Sequence, residues 1–112
     1  MRDHRMKTSS WLLALPLALL AVPTGDAHAA DAASGGVLAR QLCVNCHVVA
    51  PGEAGKQVTA GIPSFKAVAN KPGQTPEKVQ DFILNPHPPM PQVQLTNIER
   101  ANLAAYIVSL KD

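Results

Sequence analysis

The chain has 112 residues, room for one domain at most. Its formal charge is +2, and three of its ten basic residues (Arg2, Arg5, Lys7) lie in the first seven positions. From residue 30 onward seven basic side chains face six acidic ones, a net of +1, which excludes the electrostatic footprint of a nucleic-acid or anionic-lipid binder.

MRDHRMKTSS leads into WLLALPLALLAVP, an uncharged run of 13 residues, and then into TGDAHAA, with small residues at Ala27 and Ala29. Charged, apolar and small-residue regions in that order predict a secretory leader over 1–29, cleaved after Ala29. A membrane span needs about 20 apolar residues, and this run is shorter and broken by Pro16. No cysteine lies near the cleavage point and no Arg-Arg pair precedes it, so general secretion is expected rather than lipid anchoring or twin-arginine export. The mature domain is then 30–112, exported to the periplasm, without a membrane span. It loses the one tryptophan and keeps Phe65, Phe82 and Tyr106 as its aromatics. A core this small usually needs a staple, a metal or a cofactor.

Val37, Leu38 and Leu42 predict a first helix, with Ser34 as N-cap, running straight into Cys43. VVAPGEAGKQVTAGIP follows His47 with no period and reads as loop. Ser64 opens a short helical turn, SFKAVAN, and KPGQ breaks it. Thr75-Pro76 is a helix start, since Pro at the first position gives up only an N–H that had no partner. Val79, Phe82 and Ile83 continue that helix to Asn85, where Pro86 stops it. NPHPPMPQ, with four prolines in eight residues, predicts a stiff extended segment. Thr96-Asn97-Ile98-Glu99 forms a capping box, and Leu103, Tyr106, Ile107 and Leu110 form an apolar stripe behind it. The fold class is all-α, three or four short helices joined by long loops of the kind that wrap a cofactor.

CVNCH, Cys43 to His47, contains both cysteines of the chain. A redox C-x-x-C sits at a helix start within a strand-rich domain, whereas this motif ends a helix. Structural zinc wants four N or S ligands; Cys43, Cys46, His47 and His87 reach that count, but adjacent Cys46 and His47 suit tetrahedral geometry poorly. Covalent haem fits best: two thiols three residues apart reach the two vinyl groups on one porphyrin edge, and the next histidine becomes the proximal iron ligand. Such haem is attached outside the bacterial cytoplasm, in keeping with the leader. Met90, the one methionine left after cleavage, lies 43 residues beyond His47 between Pro89 and Pro91. A strap with little conformational freedom lowers the entropy cost of holding a thioether on iron, and His/Met ligation raises the reduction potential. His87, three residues earlier, is the rival ligand.

Taken in order, Gly35 eight residues before the first cysteine, CVNCH, IPSF, HPPMP and LTNIERANLAAYIVSL resemble a small monohaem class I cytochrome c of a bacterium. The resemblance covers essentially all of 30–112. It implies the small cytochrome c fold around one covalently attached haem c, with Cys43 and Cys46 as attachment points and His47 and Met90 on the iron. It also implies that the Pro63 carbonyl accepts the proximal imidazole N–H, although the family's usual Gly-Pro is Ile62-Pro63 here. Gly35 or Gly36 against Tyr106 would form the crossing of the first and last helices. The implied function is a monomeric periplasmic electron carrier, not an enzyme, serving redox protein partners such as a dehydrogenase, oxidase or reductase. The alternative is an electron-accepting subunit of a periplasmic dehydrogenase or respiratory complex. A haem peroxidase or ligand sensor would need a labile Met90. No tryptophan remains to bond a propionate, and the lysines that could line a haem edge are Lys56, Lys66, Lys71 and Lys78.

Overall fold

The computed structural model describes Ala21, residues 29–53 and residues 60–112. The expected leader over 1–29, apart from Ala21 and Ala29, lies outside the described residues, as does Lys56. Four helices occur in the described residues and no strand: α1 (Ala32–Leu42), α2 (Phe65–Ala69), α3 (Pro76–Leu84) and α4 (Asn97–Ser109). The all-α class is therefore as expected, and α4 packs against each of the other three helices.

α1 begins earlier than the apolar spacing indicated. Its N-cap is Asp31, not Ser34: the Asp31 carboxylate accepts from Ala33 N at 2.9 Å and from the Ser34 hydroxyl. The Asp31 N–H donates to Asn102 Oδ1 at 2.7 Å, which ties the start of α1 to α4. The first turn holds Ala32, Ala33, Ser34 and Gly35, with no large apolar side chain to announce it. Its periodicity is that of small residues packed on a neighbour. Gly35 and Gly36 are both buried, and a Cβ on Gly35 would sit 1.9 Å from Asn102 O. The crossing of α1 and α4 at these glycines, beside Tyr106, is thus a backbone-to-backbone approach.

The other caps match the sequence. Ser64 Oγ accepts from Ala67 N at 3.1 Å, and Thr75 Oγ1 accepts from Lys78 N at 3.3 Å with Pro76 in the first turn. α3 ends at Asn85, whose N–H donates to Asp81 O at 3.0 Å. The segment after it departs from expectation. Instead of running extended it turns at Pro88-Pro89, a cis pair, and the Met90 N–H closes the turn on His87 O at 3.0 Å. A proline offers no N–H, but the carbonyl before it can still accept, so proline density alone does not exclude a hydrogen-bonded turn. Gln92 then returns to α3, Nε2 donating to Leu84 O at 2.9 Å.

The core is small. Phe65, Val79, Ile83, Leu103 and Ile107 are its largest members, joined by Val49 and three alanines. The Tyr106 hydroxyl donates to Val49 O at 2.6 Å and so holds the loop after the CVNCH motif against α4.

At the start of α4, Thr96 Oγ1 accepts from Glu99 N at 3.2 Å while Glu99 Oε2 accepts from Thr96 N at 2.8 Å. Replacing Thr96 by alanine is expected to cost about 1 kcal/mol. The Thr96 backbone N–H, then its hydroxyl, holds the Glu99 carboxyl below its ordinary value. A folded-state pKa lower than the unfolded one stabilises above the unfolded value, and that stability is lost as pH falls through the folded value. Urea midpoints should therefore fall on acidification in the wild type. The difference from Thr96→Ala should shrink once Glu99 is protonated.

Candidate functional site

Cys43 caps the C-terminus of α1, its N–H donating to Ala39 O at 2.9 Å. The chain then coils on itself: Cys46 N and His47 N both donate to Cys43 O, at 3.2 and 2.9 Å. This turn sends the His47 ring toward α2, where it meets Phe65 at 5.1 Å between centroids, tilted by 48°. Phe65 N donates to Val48 O at 2.9 Å, so ring and backbone are fixed together. His47 Nδ1 lies 2.6 Å from Pro63 O. A carbonyl can only accept, so Nδ1 carries the proton and Nε2 keeps its lone pair for a metal.

His47 faces a cavity of about 390 Å³, within the size range of about 300–1,000 Å³ usual for ligand and cofactor sites. Cys43 and His47 enter it from the end of α1, Pro63 and Phe65 from the start of α2, Val79, Phe82 and Ile83 from α3, Leu103 and Ile107 from α4. The proline-rich turn brings His87, Pro88, Pro89 and Met90 to the same cavity. Of the five residues singled out in the sequence, Cys43, His47, Pro63 and Met90 line it. Cys46 is exposed and is not in its wall. His87, the rival ligand, also lines it; its ring meets Phe82 edge-on, 5.4 Å between centroids and 71° between planes. Lys71 and Lys78 reach the cavity wall, whereas Lys66 pairs with Asp112 at 2.8 Å. A second depression of about 360 Å³, between Ala29–Asp31 and the start of α4, shares none of these residues.

Burial pushes the Cys43 thiol up to about 11, with the neighbouring Cys46 adding to the rise. An oxidoreductase thiol needs the opposite environment, a helix N-terminus or a nearby cation that favours thiolate. Cys43 instead sits at a helix C-terminus, where the backbone dipole disfavours negative charge. The four zinc ligands counted in the sequence do not assemble either. Among the described residues no three His, Cys, Asp or Glu side chains lie close enough to hold a metal ion.

What the cavity does offer is an imidazole with Nε2 free, a thioether, an apolar wall, a thiol in that wall and a second thiol three residues away. That donor set fits a c-type haem. Sequence reasoning missed the tilted contact of the Phe65 ring with His47 and the Tyr106–Val49 bond, both long-range contacts with no local signature.

The family model described as "Cytochrome C oxidase, cbb3-type, subunit III" matches residues 30–107. The protein Cytochrome c-552 of Bradyrhizobium diazoefficiens is 45% identical over 92 residues, which cover 82% of this chain and 86% of that protein. No solved structure matches the chain significantly.

Proposed function

The chain belongs to the class I cytochromes c, electron carriers with covalently bound haem c, and on that premise we propose a periplasmic shuttle whose iron is held by His47 and Met90. The observation that carries this reading is the shared cavity to which both residues come although they lie 43 positions apart in the sequence.

In this reading Cys43 and Cys46 would supply the thioether sulfurs, and His47 Nε2 and Met90 Sδ would hold the iron. The haem supplies a reversible one-electron couple. Pro63 fixes the tautomer and orientation of His47 through its carbonyl, which strengthens the imidazole as a donor. Phe65 holds the ring from the side. The turn between His87 and Met90 limits the conformations from which the thioether must be recruited. Core residues from α3 and α4 keep water from the cavity floor, which favours the less charged, reduced state.

If His47 and Met90 both hold the iron, no coordination site would be left for a substrate, and this supports a carrier rather than an enzyme. The sequence from Met1 to Ala29 supports export to the periplasm, and a mass or N-terminal sequence of the mature protein beginning at Ala30 would test it. The near-neutral mature charge supports weak steering toward redox protein partners, and a monomer is part of the same reading. The alternative, a subunit of a respiratory complex, draws on the family description, which names an oxidase subunit. Gel filtration separates the two: a shuttle elutes alone, a subunit with a second polypeptide.

Ligation is tested by Met90→Ala. The near-infrared sulfur-to-iron band of the ferric wild type should vanish completely in this variant and the reduction potential should fall, because thioether favours ferrous iron. His87→Ala should keep the band. The reverse pattern, a band absent from the wild type and a spectrum altered by His87→Ala, would overturn His/Met ligation.

A further inference from the structure

The cavity wall is apolar except in two places. One is the ligand set, Cys43 and His47 with His87 at the proline turn. The other is an arc formed by Lys71, Gln74 and Lys78, which spans the α2–α3 connection and the first turn of α3. No Asp or Glu is found in the wall among the described residues; Glu77 and Asp81 belong to α3 but do not face the cavity.

The arc is held in shape by its own hydrogen bonds. Gln74 N donates to Lys71 O at 3.1 Å and Gln74 Nε2 to Val68 O at 3.0 Å. Lys78 Nζ donates to Gly73 O at 2.8 Å, across a turn that Gly73 permits by adopting φ +65°. An ammonium has three N–H donors and a carboxamide two. Each of these bonds uses one, so Lys78 keeps two N–H groups and Gln74 keeps one. Lys71 adds a second cation.

A cationic, donor-rich and acid-free arc on an otherwise apolar cofactor slot matches a pair of carboxylates. A c-type haem carries two, its propionates, on the edge away from the vinyl groups that the cysteines take. We propose that Lys71, Gln74 and Lys78 receive the haem propionates, the role for which this domain has no tryptophan. The proposal rests on covalent haem in this cavity. It fixes which way the macrocycle faces, propionates toward the α2–α3 turn and thioethers toward the end of α1.

The consequence is electrostatic. Carboxylates neutralised by two ammonium groups stay ionised to lower pH, and their charge does little to favour ferric iron. Besides Cys43 and His47, the titratable and charged groups lining the cavity are Lys71, Lys78 and His87. Cys43 is consumed by attachment, His47 by ligation, and α4 contributes only Leu103 and Ile107.

The test uses holoprotein carrying Lys71→Gln, Lys78→Gln, both together, and Lys78→Arg. Both lysines are exposed at the surface, so folding is not at stake. Midpoint potential is measured against pH, and propionate titration is followed by NMR. Each glutamine variant should have a lower potential and a propionate that titrates at higher pH, so that the potential slopes with pH where the wild type is flat. The double variant should show the largest shift, and Lys78→Arg should restore the wild-type profile. A double variant with unchanged potential, slope and propionate titration would overturn the proposal. The pyridine haemochrome and near-infrared band of the same samples report haem attachment and the sulfur ligand separately, so a failure of His/Met ligation would appear there instead.

Discussion

Gly35→Ala is expected to destabilise the protein by about 3 kcal/mol or more, while Gly36→Ala costs about 1 kcal/mol. The added Cβ at Gly35 would lie 1.9 Å from Asn102 O and 2.5 Å from its carbonyl carbon, atoms of the α4 backbone that no rotamer change can move. Relief requires α1 and α4 to separate. Alanine's better helix propensity returns only about 0.5–1 kcal/mol. At Gly36 the nearest atoms are the Tyr106 ring carbons at 3.1 Å and Arg40 Nη1 at 3.2 Å. Arg40 is long and can withdraw. The Tyr106 ring can shift by tenths of an ångström, though its hydroxyl is held on Val49 O. A domain of this size has a total stability of roughly 4–12 kcal/mol at about 0.05–0.15 kcal/mol per residue, so the Gly35 change removes a large share. Urea titration of the ferric protein, followed by helical signal and by the near-infrared band, measures it. The band should be lost before the helices, because α1 ends at Cys43 and any displacement of α1 carries the CVNCH turn with it. Equal midpoints for Gly35→Ala and wild type would contradict the close approach of the two helices.

How much of this was legible in the sequence depends on the range over which each feature is decided. Thr75-Pro76 and Thr96 with Glu99 are settled within one turn by side chain and backbone, so sequence and structure agree there. The start of α1 is not local. Apolar spacing begins at Val37, and the preceding turn is helical because Gly35 fits against α4 and Asp31 is bonded to Asn102, 71 residues away. The proline segment misled in another way. Its composition forbids helix and strand, but whether it turns depends on one carbonyl finding one N–H, His87 O and Met90 N. Within the site, CVNCH and Met90 stand out by residue type alone, whereas the partition of Lys66, Lys71 and Lys78 does not. Lys71 and Lys78 reach the cavity only because the KPGQ break folds back onto α3, and Lys66 is drawn off to Asp112 at the chain end.

A protein carrying Cys43→Ser together with Cys46→Ser, and so without covalent haem, should fail to fold. Among the described residues the chain's own core is Val49, Phe65, Val79, Ile83, Leu103, Ile107 and three alanines, little for a domain of this length. Five of those six larger side chains, all but Val49, also line the cavity of about 390 Å³. Left without contents, they lose contacts on that side. At about 24 cal/mol per Å³ the loss amounts to about 9 kcal/mol, an upper bound because the cavity opens to solvent. That is as large as the whole stability expected of the domain. The two single variants should differ. Cys43 stands in the cavity wall at the end of α1, and Cys46 is exposed. Cys46→Ser should therefore keep one thioether and a folded protein of lowered stability, and Cys43→Ser should yield less holoprotein. Far-UV circular dichroism and urea titration of the exported, mature proteins measure both effects. Denaturing electrophoresis with haem staining shows which variants retain a covalent bond. A cooperative unfolding transition in the haem-free double variant would show that the polypeptide builds its own core, and the cavity could then no longer be assigned to a cofactor that completes the fold.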